Sequence, residues 1–207
     1  NTVVEVKSLA QAYELAKNCS GTIVTDLPVV KAKELGLPED AKVLLFNDGF
    51  ITGRQARLRR LVDDTNRDKY AGQVREILFK GCRKKWYHAT AYVGLHEDFM
   101  VKAHLLIPEG FENTMYSWML NFQDCNKEMD EMYARSRQFE DGDIFIYSDP
   151  SMVTADYPDG LALFDPEYNC ACLLGMRYFG EHKKGTLTLG WSMAQRLGYT
   201  ACHGGQK

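Results

Sequence analysis

The 207-residue chain has no apolar run long enough to cross a bilayer, which takes about 20 consecutive apolar residues. It also lacks the basic, apolar and small-residue succession of a secretory leader. Its first residue, Asn1, is what a trimmed or engineered start would leave. No membrane partner is expected, and the expected location is the cytoplasm. Strong charge of one sign is missing as well: a net charge of −3 gives no reason to expect nucleic acid or an anionic membrane as a partner. Among the six cysteines there is no C-x-x-C pair, which argues against a zinc site and for free thiols in a reducing compartment. Internal repeats, low-complexity tracts and long linkers are absent too.

What remains is an ordinary globular balance, 45% hydrophobic and 26% charged, in a chain long enough for one sizeable core or two small ones. SLAQAYELAKN reads as a helix capped by Ser8, with Gln11 completing a capping box. LPVVKAKELGLP reads as a short helix closed by Gly36 and Pro38, and KVLLFNDGF as a strand entering an Asp-Gly turn. NRDKYAGQVREILFKG is helical, with Tyr70, Val74, Ile77 and Leu78 on one face. WYHATAYVG and FMVKAHLLIP look like strands, TMYSWMLNF and NKEMDEMYARS like helices. DIFIYS is a strand, and GLALFDPEYNCACLLGMRYFG a hairpin turning at residues 165–168, with Cys170 and Cys172 on one strand face. A last helix is expected after Gly185, and YTAC as a further strand. The alternation of elements predicts a mixed α/β fold, one domain over residues 1–207, with a mixed sheet and flanking helices.

Three places could carry chemistry. The first is RYFGEHKKG, residues 177–185, where Lys183 and Lys184 are expected at a helix start. That end is already partly positive, so a lysine there is pushed towards its neutral form, free to ligate a metal or hold an anion. A solvated charged turn is the plainer explanation. The second is ITGRQARLRRL, where Arg54, Arg57, Arg59 and Arg60 could grip a carboxylate or phosphate, or form a solvated basic face. The third is His203, beside Gly204 and Gly205, a structural residue or a metal ligand. His88, His96 and His104 are expected on separate strands or a connecting loop, without a joint role. The Asp63-Asp64 and Asp141/Asp143 clusters have turn or helix-end explanations.

These residues resemble a known family. Tyr178, Gly180, Glu181, Lys183, Lys184 and Gly185 match the Y-x-G-E-x-K-K-G signature of ATP-type phosphoenolpyruvate carboxykinases. Thr52-Gly53-Arg54 resembles the family's Y-T-G-R segment, and Ala201-Cys202-His203 falls where the family has M-H-C-S-A, in the family's order. The resemblance covers roughly residues 40–207. It implies the N-terminal, substrate-binding domain of the carboxykinase fold. In that setting Arg54 binds the carboxylate of oxaloacetate or phosphoenolpyruvate, and Tyr178 lies against substrate or carbon dioxide, with Gly180 beside the substrate. Lys183 stabilises enolate and phosphoryl charge, and Lys184, as a neutral amine, shares a Mn2+ (or Mg2+) ion with His203. The implied reaction is decarboxylation of oxaloacetate, with ATP as phosphoryl donor, giving phosphoenolpyruvate, CO2 and ADP, a step of gluconeogenesis.

The departures are specific. The family follows T-G-R with S-P-K-D-K, where this chain has Gln55-Ala56-Arg57-Leu58-Arg59. No G-x-x-x-x-G-K-[ST] phosphate loop occurs. In the family that loop belongs to a C-terminal nucleotide-binding domain, so the chain is expected to be inactive without that missing partner domain. An alternative is a non-catalytic carboxykinase-like module that binds another anion or a protein. A nucleic-acid binder using the arginines and Lys84-Lys85-Trp86-Tyr87 is a weaker third reading.

Overall fold

A computed structural model describes residues 2–46, 59–140 and 142–204. Ten strands and five α-helices alternate along these residues. The strands are β1 Thr2–Val6, β2 Thr22–Pro28, β3 Lys42–Phe46, β4 Arg59–Leu61, β5 Lys85–His96, β6 Phe99–Pro108, β7 Gln123–Asp124, β8 Ile144–Asp149, β9 Leu161–Asp165 and β10 Cys170–Leu174. The helices are α1 Leu9–Lys17, α2 Arg67–Gly81, α3 Glu112–Met119, α4 Lys127–Arg135 and α5 Phe179–Arg196.

Eight strands form one mixed sheet in the order β1-β5-β6-β8-β10-β9-β4, with the short β7 also on β5. β1 on β5, β6 on β8, β8 on β10 and β4 on β9 run parallel, whereas the β5–β6 and β9–β10 hairpins are antiparallel. The mixed α/β class read from the sequence is therefore what the chain adopts.

Side-chain alternation along each strand gives the sheet two different faces. On one, Ala89, Ala91, Ala103, Leu105, Ile144 and Ile146 pack under α1, α3 and α5 in the main core. On the other, Tyr70 and Ile77 of α2 cover Leu161, Leu163, Cys172 and Leu174, and Met129 of α4 covers Tyr92 and Met100.

Local chemistry explains the elements that were expected. The Ser8 hydroxyl accepts from the Gln11 amide at 3.2 Å, while the Gln11 side chain accepts from the Lys7 amide at 3.0 Å, so two otherwise orphaned donors are satisfied at the start of α1. The segment around Gly36 is shorter than expected, a single 3-10 turn over Ala32–Leu35.

Four strands were not expected; one of them, β7, is only two residues long and pairs with β5. β2 pairs only with β3, in a separate two-stranded sheet with mostly exposed residues, so it has no alternating apolar signal. β4 is three residues of an arginine-rich stretch, shaped by its partner β9. β1 lies at the sheet edge and buries only Val6 fully. Residues 199–203, expected to include a strand, have no regular structure, because no neighbouring strand offers them a ladder.

Candidate functional site

The lysine motif does not precede a helix; it forms one. α5 begins at Phe179 with Tyr178 as its N-cap, so Lys183 and Lys184 lie in its second turn. The expectation of two cations at the helix start is thereby corrected. The charge in the first turn is Glu181, the sign that complements the amide-rich end.

The helix expected after Gly185 thus already contains Gly180 and Gly185. Both are small for a steric reason. A Cβ at Gly180 would come within 2.3 Å of the Tyr178 ring, and one at Gly185 within 2.8 Å of the Phe164 ring. Gly180 lets the Tyr178 ring fold over the first turn, and Gly185 lets α5 lie close on β9.

Glu181 points inward. Both of its oxygens are bonded by Arg59, at 2.8 Å from Nε and 3.0 Å from Nη2. The glutamate side chain is 4% exposed and the arginine 37%, so this two-pronged pair seats a carboxylate that would otherwise be buried alone. Arg59, grouped above with a possible anion site, is thus an internal clamp between β4 and α5.

His182 is fully buried. Its Nδ1 lies 3.3 Å from the Tyr178 carbonyl, which can only accept, so Nδ1 carries the proton. Nε2 is then the acceptor for the Ser148 hydroxyl at 2.6 Å. Burial holds this imidazole neutral, bringing its pKa down to about 4. One turn on, the Thr186 hydroxyl donates to the His182 carbonyl and accepts from the Trp118 indole, each at 2.9 Å.

What faces outward is the lysine pair. Lys183 is half-buried and Lys184 exposed. The Lys184 ammonium sits over the Tyr178 ring, 5.8 Å from its centre, within cation–π range. Among the described residues neither ammonium forms an ion pair. Helical spacing places Thr188, Trp191 and Gln195 along the Lys184 side of α5. These three, with Leu61 and Tyr199, help to line an open groove of about 560 Å³.

Of the residues expected in the site, Tyr178, Gly180, Lys183 and Lys184 come together on the first two turns of α5. Arg54 and Arg57 lie outside the described residues. His203 is exposed and packs on Trp191, ring centres 5.4 Å apart. Trp191 is seven residues beyond Lys184, about 10 Å along the helix axis. Among the described residues no group of three or more His, Cys, Asp or Glu side chains could hold a metal.

The Lys84-Lys85-Trp86 run has partners within the chain. Lys84 pairs with the fully buried Asp149, Lys85 pairs with Glu109, and the Trp86 indole donates to the Gly81 carbonyl. A second concavity of about 280 Å³ lies between α2 and the sheet, with Tyr70, Val74, Tyr147 and Cys172 in its apolar wall. Burial pushes the Cys172 thiol up to about 12, so it is not a ready nucleophile. All six cysteines are free.

One constellation escaped the sequence. His88 and His104, expected to be unrelated, are hydrogen-bonded to each other and to Glu5 and Asp143. No family model and no curated protein matches this chain.

Proposed function

We propose that the chain is the substrate-binding part of an enzyme resembling the ATP-type phosphoenolpyruvate carboxykinases, with Lys183 and Lys184 presented to an anionic carboxylate- or phosphate-bearing substrate. The observation that carries this reading is the division of labour within residues 178–185. Tyr178 and Gly180 fit each other, Glu181 is held by Arg59, His182 by Ser148, and Gly185 abuts Phe164. Every motif residue except the lysines is occupied in building the helix and seating it. A solvated charged turn would need no such frame.

The frame has a chemical use. Ammonium groups on a clamped helix lose less freedom on meeting a ligand than the same groups on a loose turn. The Tyr178 ring beneath Lys184 offers a flat apolar surface for a small planar acid. In the proposed reaction, loss of CO2 from oxaloacetate leaves an enolate oxygen that then attacks the transferred phosphoryl group. Lys183 and Lys184 would stabilise the negative charge on that oxygen and on the phosphoryl group. Arg54 as the carboxylate anchor, ATP, the divalent ion and a nucleotide-binding partner domain rest on the family resemblance alone.

The test is a calorimetric titration of the chain with phosphoenolpyruvate, beside Lys184→Ala and Arg54→Ala. Saturable binding weakened about tenfold or more by each substitution is expected, the usual scale for a charge-assisted contact. Binding indifferent to both substitutions, or no binding at millimolar ligand, would overturn the reading.

A further inference from the structure

On the face of the sheet away from α5, four ionisable side chains stand in one row. Glu5 of β1 is paired in register with His88 of β5, and His104 of β6 with Phe145 of β8. Both carboxylate oxygens of Glu5 lie 2.8 Å from His88 Nδ1. His88 Nε2 faces His104 Nδ1 at 3.0 Å, and His104 Nε2 meets Asp143 Oδ2 at 2.9 Å. The ring centres are 5.2 Å apart and the planes 16° from parallel. With 3.0 Å between the facing nitrogens, that is an edge-to-edge line rather than a face-to-face stack.

Three contacts in series need three protons. A carboxylate can only accept, so His88 Nδ1 and His104 Nε2 must both carry hydrogen. The central contact needs one more, on either facing nitrogen. Two neutral imidazoles supply only two. Glu5 and Asp143 are 57% and 29% exposed, and solvated carboxylates are ionised at neutral pH. The third proton therefore belongs to the rings.

The surroundings suit a cation. The Phe145 ring lies parallel to His104, with centres 4.7 Å apart and 8° between the planes, a position in which an aromatic face attracts positive charge. Phe145 is 52% exposed, so covering the core does not explain its placement. Of the other titratable groups nearby, the Tyr133 hydroxyl of α4 donates to Asp143 at 3.3 Å, and the Tyr92 hydroxyl donates to Asp130. Lys102, on the same face of β6 as His104, is turned onto the Tyr92 and Tyr133 rings.

We propose that Glu5, His88, His104 and Asp143 form a proton-holding latch, in which two imidazoles share one positive charge and tie the edge strand β1 and the entry to β8 onto the β5–β6 hairpin. With only two ring protons one of the three contacts has no hydrogen and opens, either a ring lone pair against a carboxylate or the two central lone pairs against each other. With four, two N–H groups face each other and the centre opens. The latch is closed only with three.

The test counts protons. In the ¹⁵N-histidine spectrum of the 207-residue chain at pH 7, His88 and His104 together are expected to show three ring N–H groups. Glu5→Gln and Asp143→Asn each replace an obligate acceptor with an amide that can donate, so each is expected to lower the count to two. A merely structural contact would not change it. Glu5→Gln is also expected to speed amide exchange at Val4 and Val6 about tenfold, the scale of one lost charge-assisted bond. Two ring protons in the parent, or an unchanged count in both variants, would overturn the shared charge. Unchanged exchange in β1 would overturn the latch. Loss of the central proton on adding one equivalent of Zn2+ would also overturn it, making the facing nitrogens a metal site.

Discussion

The two faces of the central sheet treat histidine in opposite ways. Under α5, His182 is sealed from solvent, bonded only to neutral partners and held without charge. Across the sheet, His88 and His104 lie partly open between two carboxylates, in contacts that close only with an extra proton. The side chain is the same, and the number and kind of acceptors around it decide its charge. Ser148 can donate to a lone pair and so supports a neutral ring, whereas Glu5 and Asp143 can only accept and so demand protons.

The comparison is most easily broken with acid. His182 has a lower pKa folded than unfolded, about 4 against about 6.5. Between these values the unfolded chain binds the proton that the folded chain refuses. The stability linked to this ring is therefore complete above about pH 6.5 and lost as the pH falls towards 4, up to about 3 kcal/mol. Denaturant titrations from pH 7 to 4 should show this loss. His182→Gln, which cannot titrate, should flatten the slope even if it is less stable at pH 7. An equally steep slope in the variant would mean that His182 is not sealed.

A smaller effect is expected at the clamp beneath the lysines. Arg59→Ala strands the Glu181 carboxylate under α5. Breaking a buried pair costs about 3–5 kcal/mol, and the partial exposure of Arg59 brings the expectation to about 2–3 kcal/mol. Adding Glu181→Gln should recover part of that loss, as equilibrium unfolding can measure.

The smallest effect separates the two motif glycines. Gly180→Ala must displace the Tyr178 ring, and Gly185→Ala must shift the Phe164 ring by less. Overpacking of this kind costs about 1–3 kcal/mol, and Gly180→Ala should lower the melting temperature more. Equal effects would remove the proposed fit between Tyr178 and Gly180.

What could be read in advance was local. Ser8 and Gln11 announced α1, and the turn at residues 165–168 announced the β9–β10 hairpin, because capping and turn chemistry act within a few residues. The class of the fold followed from the alternation of such elements. Residues 178–185 could be singled out from the sequence, but not the setting in which they fold. The two motif glycines are set by Tyr178 and by Phe164, the latter on a different element. Arg59 and Glu181 are 122 residues apart in sequence, and no spacing rule links them. The histidine row was equally hidden. A turn pairing His96 with Phe99 would by itself set even residues opposite odd ones and put His88 and His104 on different faces; the register shift between Val93 and His96 sets even opposite even and brings the two rings within reach on a diagonal.

β8 is where both histidine environments are set. Ser148 points to α5 and His182, Phe145 and Tyr147 point the other way, and Asp143 stands at the strand's entrance. Because successive side chains alternate, inserting one residue within β8 would exchange its two sets of neighbours. The buried imidazole would face an aromatic ring instead of a hydroxyl, and His104 would lose its aromatic backing in the same step. This strand therefore tolerates changes of side chain far better than changes of length, and an insertion there disables both faces of the sheet together.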